Sequence, residues 1–265
     1  MLALSHQSVA QHRTAHMRIA GNQGAQLTGA ARAEYVRAMF ARIVPRYDLF
    51  NALSTFGQVR RWRRMVVDLA AVPPEGRVLD LATGTGAVAF ALARRAPTAQ
   101  VVGLDFCEPM IAAAQATAAG RTGHARGLQA VPAFQLGDVL DLPYAEESFE
   151  ALTISFGMRN LADIPRGLRE MRRVLVPGGR LVCLELTLVQ SPLIRVPFRF
   201  YFYRVAPLLG TLLSGDRDAY TYLPHSVAHF PDAATLSAMM LEAGFSRVRY
   251  RRLNFGTIAI HLAVR

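Results

Sequence analysis

The stretch VLDLATGTG, residues 78–86, decides the fold of this chain. An apolar run that stops at a glycine-rich turn and opens into AVAFALA, residues 87–93, predicts a strand, a loop and a helix, the first half of a βαβ unit. A second apolar run ends at Asp105, where a carboxylate can accept both hydrogen bonds of a ribose diol. Gly84 and Gly86 let the backbone approach a ligand closely. The stretch therefore predicts a nucleoside-cofactor site.

The glycine loop alone leaves two cofactors open. Residues 84–89 fit G-x-G-x-x-A, the dinucleotide fingerprint, which is also followed by an acidic residue. Asp80, however, lies inside the strand, where its carboxylate would face the ammonium of S-adenosylmethionine (SAM) but would repel a pyrophosphate. We therefore favour SAM over a nicotinamide or flavin dinucleotide, and over a purely structural glycine turn.

Composition sets broad limits on the class of protein. The chain has 265 residues, 52% of them hydrophobic, enough to bury one large core. Its net charge of +11 comes from arginine alone, since lysine is absent, and is weak support for an anionic partner such as nucleic acid or acidic lipid. Cys107 and Cys183 are not in C-x-x-C form, so we expect no metal site and a reducing, cytoplasmic location. No stretch of 18 uncharged apolar residues occurs, and no transmembrane helix is expected.

The order of elements predicts one domain. Residues 1–30 are expected to form a disordered tail, and residues 31–265 a single domain with an N-terminal helical cap (31–72) and a helical insert (190–232). The predicted strands are near 77–81, 101–105, 133–136, 149–155, 180–186, 246–253 and 257–264, and the predicted helices after the cap are near 87–95, 108–118, 162–174 and 232–243.

The end of the chain favours one kind of α/β sheet. Alternating strands and helices predict a parallel sheet covered on both faces. Only residues 254–256 join the last two strands, too few for a crossover helix, so the final strand must be antiparallel. A seven-stranded sheet of this kind is typical of the class I SAM-dependent methyltransferase fold, which is Rossmann-like, and not of a dinucleotide-binding domain.

Two further strand ends add candidate cofactor contacts. Asp138 follows the third strand and is placed for the adenine amino group, with the Val139 amide for a ring nitrogen, although a simple turn carboxylate competes with this interpretation. Ser155 closes the fourth strand on the same sheet edge, where open α/β sheets bind ligands.

Longer strings carry a specific resemblance. The strings FARIVPRYDLFN (40–51), TISFGMRNL (153–161) and TYLPHSV (221–227) resemble the ubiquinone/menaquinone biosynthesis C-methyltransferase family, also called demethylmenaquinone methyltransferase, over about residues 36–262. The resemblance implies SAM as cofactor and C-methylation of a prenylated quinol, with demethylmenaquinol as the first acceptor and a benzoquinol as the second. The SAM contacts that it implies are Thr85, Asp105, Asp138, Val139 and Ser155.

The chemistry selects candidate catalytic residues. A quinol carbon becomes nucleophilic when an ortho hydroxyl loses its proton, and phenols titrate near pH ~10, so the site must stabilise an oxyanion. Arg159 is the candidate for that role, since arginine cannot act as a base. Tyr47, Asp48 and Asn160 are candidates to relay the proton or orient the ring, and Asp48 is the only ordinary base among them. A helix-ending turn with an Asp cap is the structural alternative for Tyr47 and Asp48.

The insert suggests where a hydrophobic substrate is collected. Residues 193–213 interleave aromatic side chains with Arg195, Arg199 and Arg204, a pattern that suits a prenyl chain or an anionic membrane surface, or equally a lid over the active site. We expect peripheral membrane contact and no nucleic-acid partner, and we keep a homodimer open. An RNA or protein methyltransferase and a non-catalytic SAM-binding protein remain alternatives, although Ser155-Phe156-Gly157-Met158 stands where an exocyclic-amine methyltransferase would carry an Asn-Pro-Pro-Tyr-like string.

Overall fold

A computed structural model describes residues 21–122 and 131–265 as an α/β fold. The strands are β1 (Arg77–Leu81), β2 (Gln100–Asp105), β3 (Ala133–Leu136), β4 (Phe149–Ser155), β5 (Leu175–Leu186), β6 (Arg247–Leu253) and β7 (Ile258–Val264). The helices are α1 (Gly21–Gly24), α2 (Gly29–Ile43), α3 (Tyr47–Ser54), α4 (Val59–Ala70), α5 (Ala87–Arg95), α6 (Glu108–Thr122), α7 (Ile164–Val174), α8 (Pro192–Phe200), α9 (Ala206–Ser214), α10 (Arg217–Ala228) and α11 (Ala233–Glu242).

The strands form one seven-stranded sheet in the order β3-β2-β1-β4-β5-β7-β6. β1 to β5 run parallel to one another, whereas β7 runs antiparallel to both β5 and β6. The predicted class I SAM-dependent methyltransferase sheet is thus confirmed, and its cause is the short turn Asn254–Gly256, which can only reverse the chain.

The fifth strand is longer than predicted. Pairing with β4 begins at Leu175, opposite Phe149, and resumes at Arg180, opposite Ala151, after a register shift. The intervening turn stays on the sheet because Gly178 N–H donates to Arg265 O and Arg265 N–H donates to Gly179 O. Arg265 therefore holds the turn before residue 180 on the sheet, although the sequence predicted that the strand begins only near residue 180.

Helices cover both faces of the sheet. On one face, α4 and α5 pack Trp62, Val66 and Ala89 against sheet residues such as Val78 and Val182.

On the other face, α7 and α11 pack Leu168, Met171, Leu236 and Met240 against residues that include Leu79, Leu152 and Ile154. The alternation of Val78 and Leu79 between the two clusters is the two-residue period of a strand buried on both faces.

The cap and the insert pack on each other above the sheet edge. Val36, Met39 and Phe50 of the cap meet Tyr220 and Tyr222 of α10 in one apolar cluster. The predicted tail over residues 1–30 is wrong for residues 21–30, because α1 and the start of α2 lie there and Ala25 is buried in this cluster. Residues 1–20 lie outside the described range.

The insert predicted over residues 190–232 holds α8, a π-helical segment Tyr201–Val205, α9 and α10. None of the helices in the described part of the chain is long and apolar enough to cross a bilayer.

Candidate active site

A cavity of about 60 Å³ lies where the parallel strands end. β1, β2, β3 and β4 all deliver their carboxyl ends to this edge, as expected for a ligand site of an open α/β sheet. The structure brings together here five of the residues that the sequence proposed as cofactor contacts: Gly84, Asp105, Asp138, Val139 and Ser155.

Asp105 is fixed by the backbone of the glycine loop. Its Oδ2 accepts from Gly84 N–H at 2.8 Å and its Oδ1 from Cys107 N–H at 2.9 Å. The side chain is buried, and burial raises the pKa of its carboxyl above the ordinary value. Because each carboxylate oxygen keeps a second lone pair, the group can still accept two hydroxyls of a ribose.

Gly84 and Gly86 of the glycine loop have different structural roles. Gly84 lines the cavity with φ +57°. Gly86, with φ +84°, does not line it, and a Cβ there would come within 2.6 Å of the Phe134 ring. Gly86 is therefore required by the turn and by its packing against Phe134 of β3, and its contact with the cofactor stays a prediction.

Asp80 is a buried carboxylate with no ion-pair partner in the described residues. Thr83 and Thr153 each donate a hydroxyl hydrogen bond of 2.6 Å to it. Burial raises the pKa of Asp80 to about 6. With Thr85, Ser155 and Arg63 it lines a small cavity of about 20 Å³ beside the cofactor cavity. The charge of Arg63 partly offsets the rise in the pKa of Asp80, and a further cation in the cavity would relieve more of the cost of the buried carboxylate.

Ser155 supports the same assignment. Its Oγ is buried and has no hydrogen-bond partner within the described ranges, although buried hydroxyls are ordinarily satisfied. Since Ser155 lines both the cofactor cavity and the smaller cavity, a polar ligand that fills them would satisfy it. The residues present therefore fit SAM, whose ammonium and sulfonium are cationic and whose hydroxyls need acceptors.

Asp48 and Thr85 join the cap to the glycine loop. Thr85 Oγ1 donates to Asp48 Oδ2 at 2.6 Å, and Arg63 Nη2 lies 3.5 Å from Asp48 Oδ1. Asp48 is half exposed and does not line the larger cavity described next. The structure thus places Asp48 on the cofactor side, which does not support its predicted role as a base for the quinol ring.

A second, largely aromatic cavity of about 320 Å³ lies beside the cofactor cavity. Phe40, Tyr47 and Phe156 line both, so the two cavities meet at these side chains. Phe156 has φ +60°, a conformation that costs energy for a bulky residue and is found preferentially at functional sites. We call this second space the ring cavity.

Arg159 lies in the wall of the ring cavity and is buried. Its Nη1 donates to Glu185 Oε1 at 2.6 Å and to Phe156 O at 2.7 Å, and its backbone N–H donates to Glu185 Oε2 at 3.2 Å. Arg159 Nε is buried and has no partner among the described residues. Arg159 therefore lines the ring cavity as one partner of a buried ion pair with Glu185.

Asn160 and Tyr47 complete the boundary between the cavities. Tyr222 Oη donates to Asn160 Oδ1 at 3.1 Å, while Asn160 itself lines the cofactor cavity. Burial raises the pKa of Tyr47 above its ordinary value. At neutral pH Tyr47 is thus a hydrogen-bond donor and not a base.

The residues of this site that were not predicted from the sequence include Tyr222 and Glu185. Tyr222 belongs to a quoted string, but nothing in its pattern placed it against Asn160. Glu185 has a stronger signal, because it is an acid inside the apolar run Leu181–Leu186, and a buried charge in a central strand requires a partner.

Together, the seven-stranded sheet with its antiparallel last strand and the acid-lined glycine loop define a class I SAM-dependent methyltransferase. Residues 28–265 match the ubiE/COQ5 methyltransferase family, and the chain belongs to that family.

Similar proteins agree with this assignment. The chain is 51% identical to a demethylmenaquinone methyltransferase of Thermus thermophilus, over 86% of this chain and 100% of that protein. It is 39% identical to a ubiquinone/menaquinone biosynthesis C-methyltransferase of Dinoroseobacter shibae, over 87% and 90%.

Among solved structures, a SAM-dependent methyltransferase of Thermotoga maritima described as a possible histamine N-methyltransferase has a TM-score of 0.59 at 18% identity, over 86% of this chain and 98% of that one. The [4+2]-cyclase SpnF has a TM-score of 0.58 at 18% identity, over 88% and 96%. These structures share the fold alone, and the fold does not choose the substrate.

Proposed function

We propose that this protein transfers the methyl group of SAM to a ring carbon of a prenylated quinol, with demethylmenaquinol as acceptor and menaquinol as product. The observation that carries the proposal is an aromatic cavity that meets the cofactor cavity and has one buried guanidinium, that of Arg159, in its wall. The names of the relatives at 51% and 47% identity support the naphthoquinol acceptor.

When bound, SAM supplies an electrophilic methyl group on a sulfonium. That methyl group would become bonded to the ring carbon, and the cofactor would keep the electron pair of the methyl–sulfur bond as a neutral thioether. The quinol hydroxyl gives up one proton before attack; after attack the methylated carbon loses its proton and the ring oxygen takes one up, which restores the aromatic quinol. One proton is released overall, so the groups around the ring must favour the phenolate.

Arg159 is the residue that we assign to phenolate stabilisation. Among the described residues that line the ring cavity there is no aspartate, glutamate or histidine. Tyr47 is suited to donate a hydrogen bond to a quinol oxygen, because its raised pKa keeps it protonated. Asn160, held by Tyr222, is suited to orient the ring beside the cofactor. We infer that the proton leaves through water and not to a carboxylate in the cavity.

Other acceptors fit less well. A benzoquinol is the second candidate, because relatives at 39–42% identity carry names that include ubiquinone biosynthesis. An RNA or protein methyltransferase would need a polar, accessible acceptor site, whereas the ring cavity is lined mainly by apolar and aromatic side chains.

Peripheral contact with an anionic membrane is part of the proposal. Arg195, Arg199 and Arg204 are exposed on the insert. The same helical segment exposes a row of large apolar side chains: Leu193, Val196, Phe200, Leu208 and Leu212. Positive charge next to exposed apolar residues suits the interface of an acidic bilayer. Assembly as a homodimer stays a prediction.

The direct test incubates the purified protein with labelled SAM and reduced demethylmenaquinone in micelles, and identifies the product by mass spectrometry. A reduced benzoquinone with the same tail and an RNA pool serve as competing acceptors. Formation of menaquinol supports the proposal, and methylation of RNA alone would overturn it.

A further inference from the structure

A third cavity, of about 410 Å³, lies on the other side of the insert and has no part in the chemistry above. Its walls are mainly apolar and include Leu188, Val189 and Val227, and the exposed residues Arg195 and Ala228 lie at its rim. It shares two wall residues with the ring cavity, Phe198 and Phe202. We call this third space the tail chamber.

The wall between the ring cavity and the tail chamber consists of side chains. The Phe198 and Phe202 rings stack with their centroids 5.0 Å apart and an interplanar angle of 19°. Such a wall opens by rotation of two side chains, with no hydrogen bond to break. The wall adjoins the π-helical segment Tyr201–Val205, and π-helical turns occur often at functional sites.

Another side of the ring cavity is held by a polar contact. Tyr201 Oη donates to Ser54 O at 2.7 Å, which ties the insert to the C-terminal end of α3. The Phe56 ring lies 6.2 Å from the Tyr201 ring at the same place. Opening the cavity there would cost a hydrogen bond as well as ring contacts, so the phenylalanine wall is the easier passage.

We propose that the tail chamber holds the isoprenoid chain of the quinol, and that Phe198 and Phe202 form the gate through which the chain passes from the ring cavity. This inference rests on the proposed function. An isoprenoid chain is a hydrocarbon without polar groups. The mainly apolar lining of the tail chamber therefore suits it, because binding there buries apolar surface. Arg195 and Arg199 line the tail chamber and are exposed, so their alkyl stems can lie against an isoprenoid while their charge stays in water or at the level of lipid headgroups.

The test fills the tail chamber without touching the ring cavity. Ala228→Trp introduces a large side chain at an exposed residue that lines only the tail chamber, and Leu188→Trp does so from another wall. Ala116→Trp, the same change at an exposed alanine of α6, is the matched control. Each variant is assayed in micelles, so that membrane binding plays no part, with a long-chain demethylmenaquinol and with the same ring lacking the chain.

We expect Ala228→Trp and Leu188→Trp to lower kcat/KM for the long-chain quinol roughly tenfold, the effect of losing burial of about two methylene groups, and to leave kcat/KM for the chainless ring unchanged. Ala116→Trp should change neither value. Phe198→Ala, which widens the gate, should not reduce the preference for the long-chain quinol.

The outcomes separate this inference from the proposed function. If the unmodified protein methylates neither quinol, the proposed function fails. If it methylates both and the two tryptophan variants affect both equally, or neither, the tail lies elsewhere and the inference is overturned. Loss of liposome binding by these variants with an unchanged ratio of the two kcat/KM values would assign the chamber to a phospholipid acyl chain, and would also overturn it.

Discussion

Arg159 Nη1 lies 2.6 Å from Glu185 Oε1, and both side chains are buried, with Arg159 in the wall of the ring cavity and Glu185 behind it. A cation that is to stabilise a phenolate is thus already partly neutralised by its own protein. Because Glu185 also accepts the backbone N–H groups of Arg159 and Leu186, it fixes the position of the guanidinium. Glu185 therefore sets both where the positive charge lies and how much of it the substrate experiences.

The first prediction concerns Glu185→Gln. The amide keeps an acceptor for Arg159 but removes the negative charge, so the field of the guanidinium at the quinol oxygen becomes stronger. The pKa of the bound quinol should fall, and the pH at which kcat reaches half its maximum should move to lower pH. The free energy of unfolding should fall by about 3 kcal/mol, as when one partner of a buried pair is lost.

The control for that experiment is Glu170→Gln. Glu170 pairs with Arg173 at 2.8 Å, outside all the cavities described above, so its loss should change stability and leave the pH profile in place. An unchanged pH profile in Glu185→Gln, with the variant folded, would show that the Arg159–Glu185 pair does not act on the quinol.

The second prediction concerns Arg159 itself. Arg159→Ala should reduce kcat by about 10²-fold or more, because the phenolate loses its charged stabiliser, while SAM affinity stays nearly the same. Calorimetry with SAM and steady-state kinetics with the quinol separate the two quantities. A loss confined to SAM affinity would move Arg159 to the cofactor site and remove it from the mechanism.

The third prediction links SAM binding to pH through Asp80. Burial raises the pKa of this carboxyl to about 6, and a bound cation favours its ionised form and lowers that pKa. SAM affinity should therefore increase as pH rises to about 6 and then level off. Asp80→Asn should bind more weakly and lose this part of the pH dependence. An equal pH dependence in both proteins, measured by calorimetry, would place the ammonium away from Asp80.

Without SAM, the raised pKa of Asp80 makes the free energy of unfolding decrease as pH rises, whereas SAM affinity increases as pH rises. The folded-state pKa of Asp80 is raised from 3.8 to about 6, so the fold favours the protonated carboxyl. Its contribution to the free energy of unfolding is fully present below pH 3.8 and is lost as pH rises through about 6. Thermal unfolding of Asp80→Asn without SAM should lack this contribution to the pH dependence.

The fourth prediction tests the ribose contact. Asp105→Ala should weaken SAM binding by roughly 1.5 to 3 kcal/mol, because two hydroxyls lose their acceptor in a buried site. The variant also frees Gly84 N–H, which Asp105 holds at 2.8 Å. Asp105→Asn, which keeps an acceptor oxygen, should lose less. Unchanged SAM affinity, or tight binding of a nicotinamide dinucleotide, would refute the cofactor assignment.

The sequence was sufficient for the sheet and for most of the cofactor edge. The glycine loop, Asp105 and Asp138 follow strands, and parallel strands bring their carboxyl ends to one edge whatever the rest of the chain does. The hairpin at residues 254–256 in turn required an antiparallel last strand. These predictions depend on local patterns and on a topology with few alternatives.

The ring cavity was less accessible to such reasoning. Asp48 and Tyr47 are neighbours in the sequence, yet the helix that carries them directs Asp48 to Thr85 and Tyr47 to the boundary between the cofactor cavity and the ring cavity. Glu185 meets Arg159 only because β5 ends beside the turn after β4. Side-chain direction on a short helix and pairing between distant elements are set by tertiary packing, which one sequence does not display.

The last prediction concerns the membrane. Replacing Arg195, Arg199 and Arg204 with Gln should release the protein from anionic liposomes, since each arginine near such a surface contributes about 1 kcal/mol. Activity on long-chain quinol in liposomes should fall, with little effect on a short-chain soluble analogue. High salt should have the same effect on liposome flotation, because attraction is screened beyond about 8 Å at physiological ionic strength.

The matched control replaces Arg247, Arg249 and Arg251 of β6, three exposed arginines on a different element, with Gln. Both triple variants lose the same net charge, so a general electrostatic attraction would weaken binding equally in the two. Release of the insert variant alone would locate the contact on the segment that also exposes Leu193 and Phe200. Two results would contradict the proposed membrane contact: the unmodified protein does not bind anionic liposomes, or the insert variant loses activity equally on both substrates. Either result would mean that the insert is a structural lid over the ring cavity.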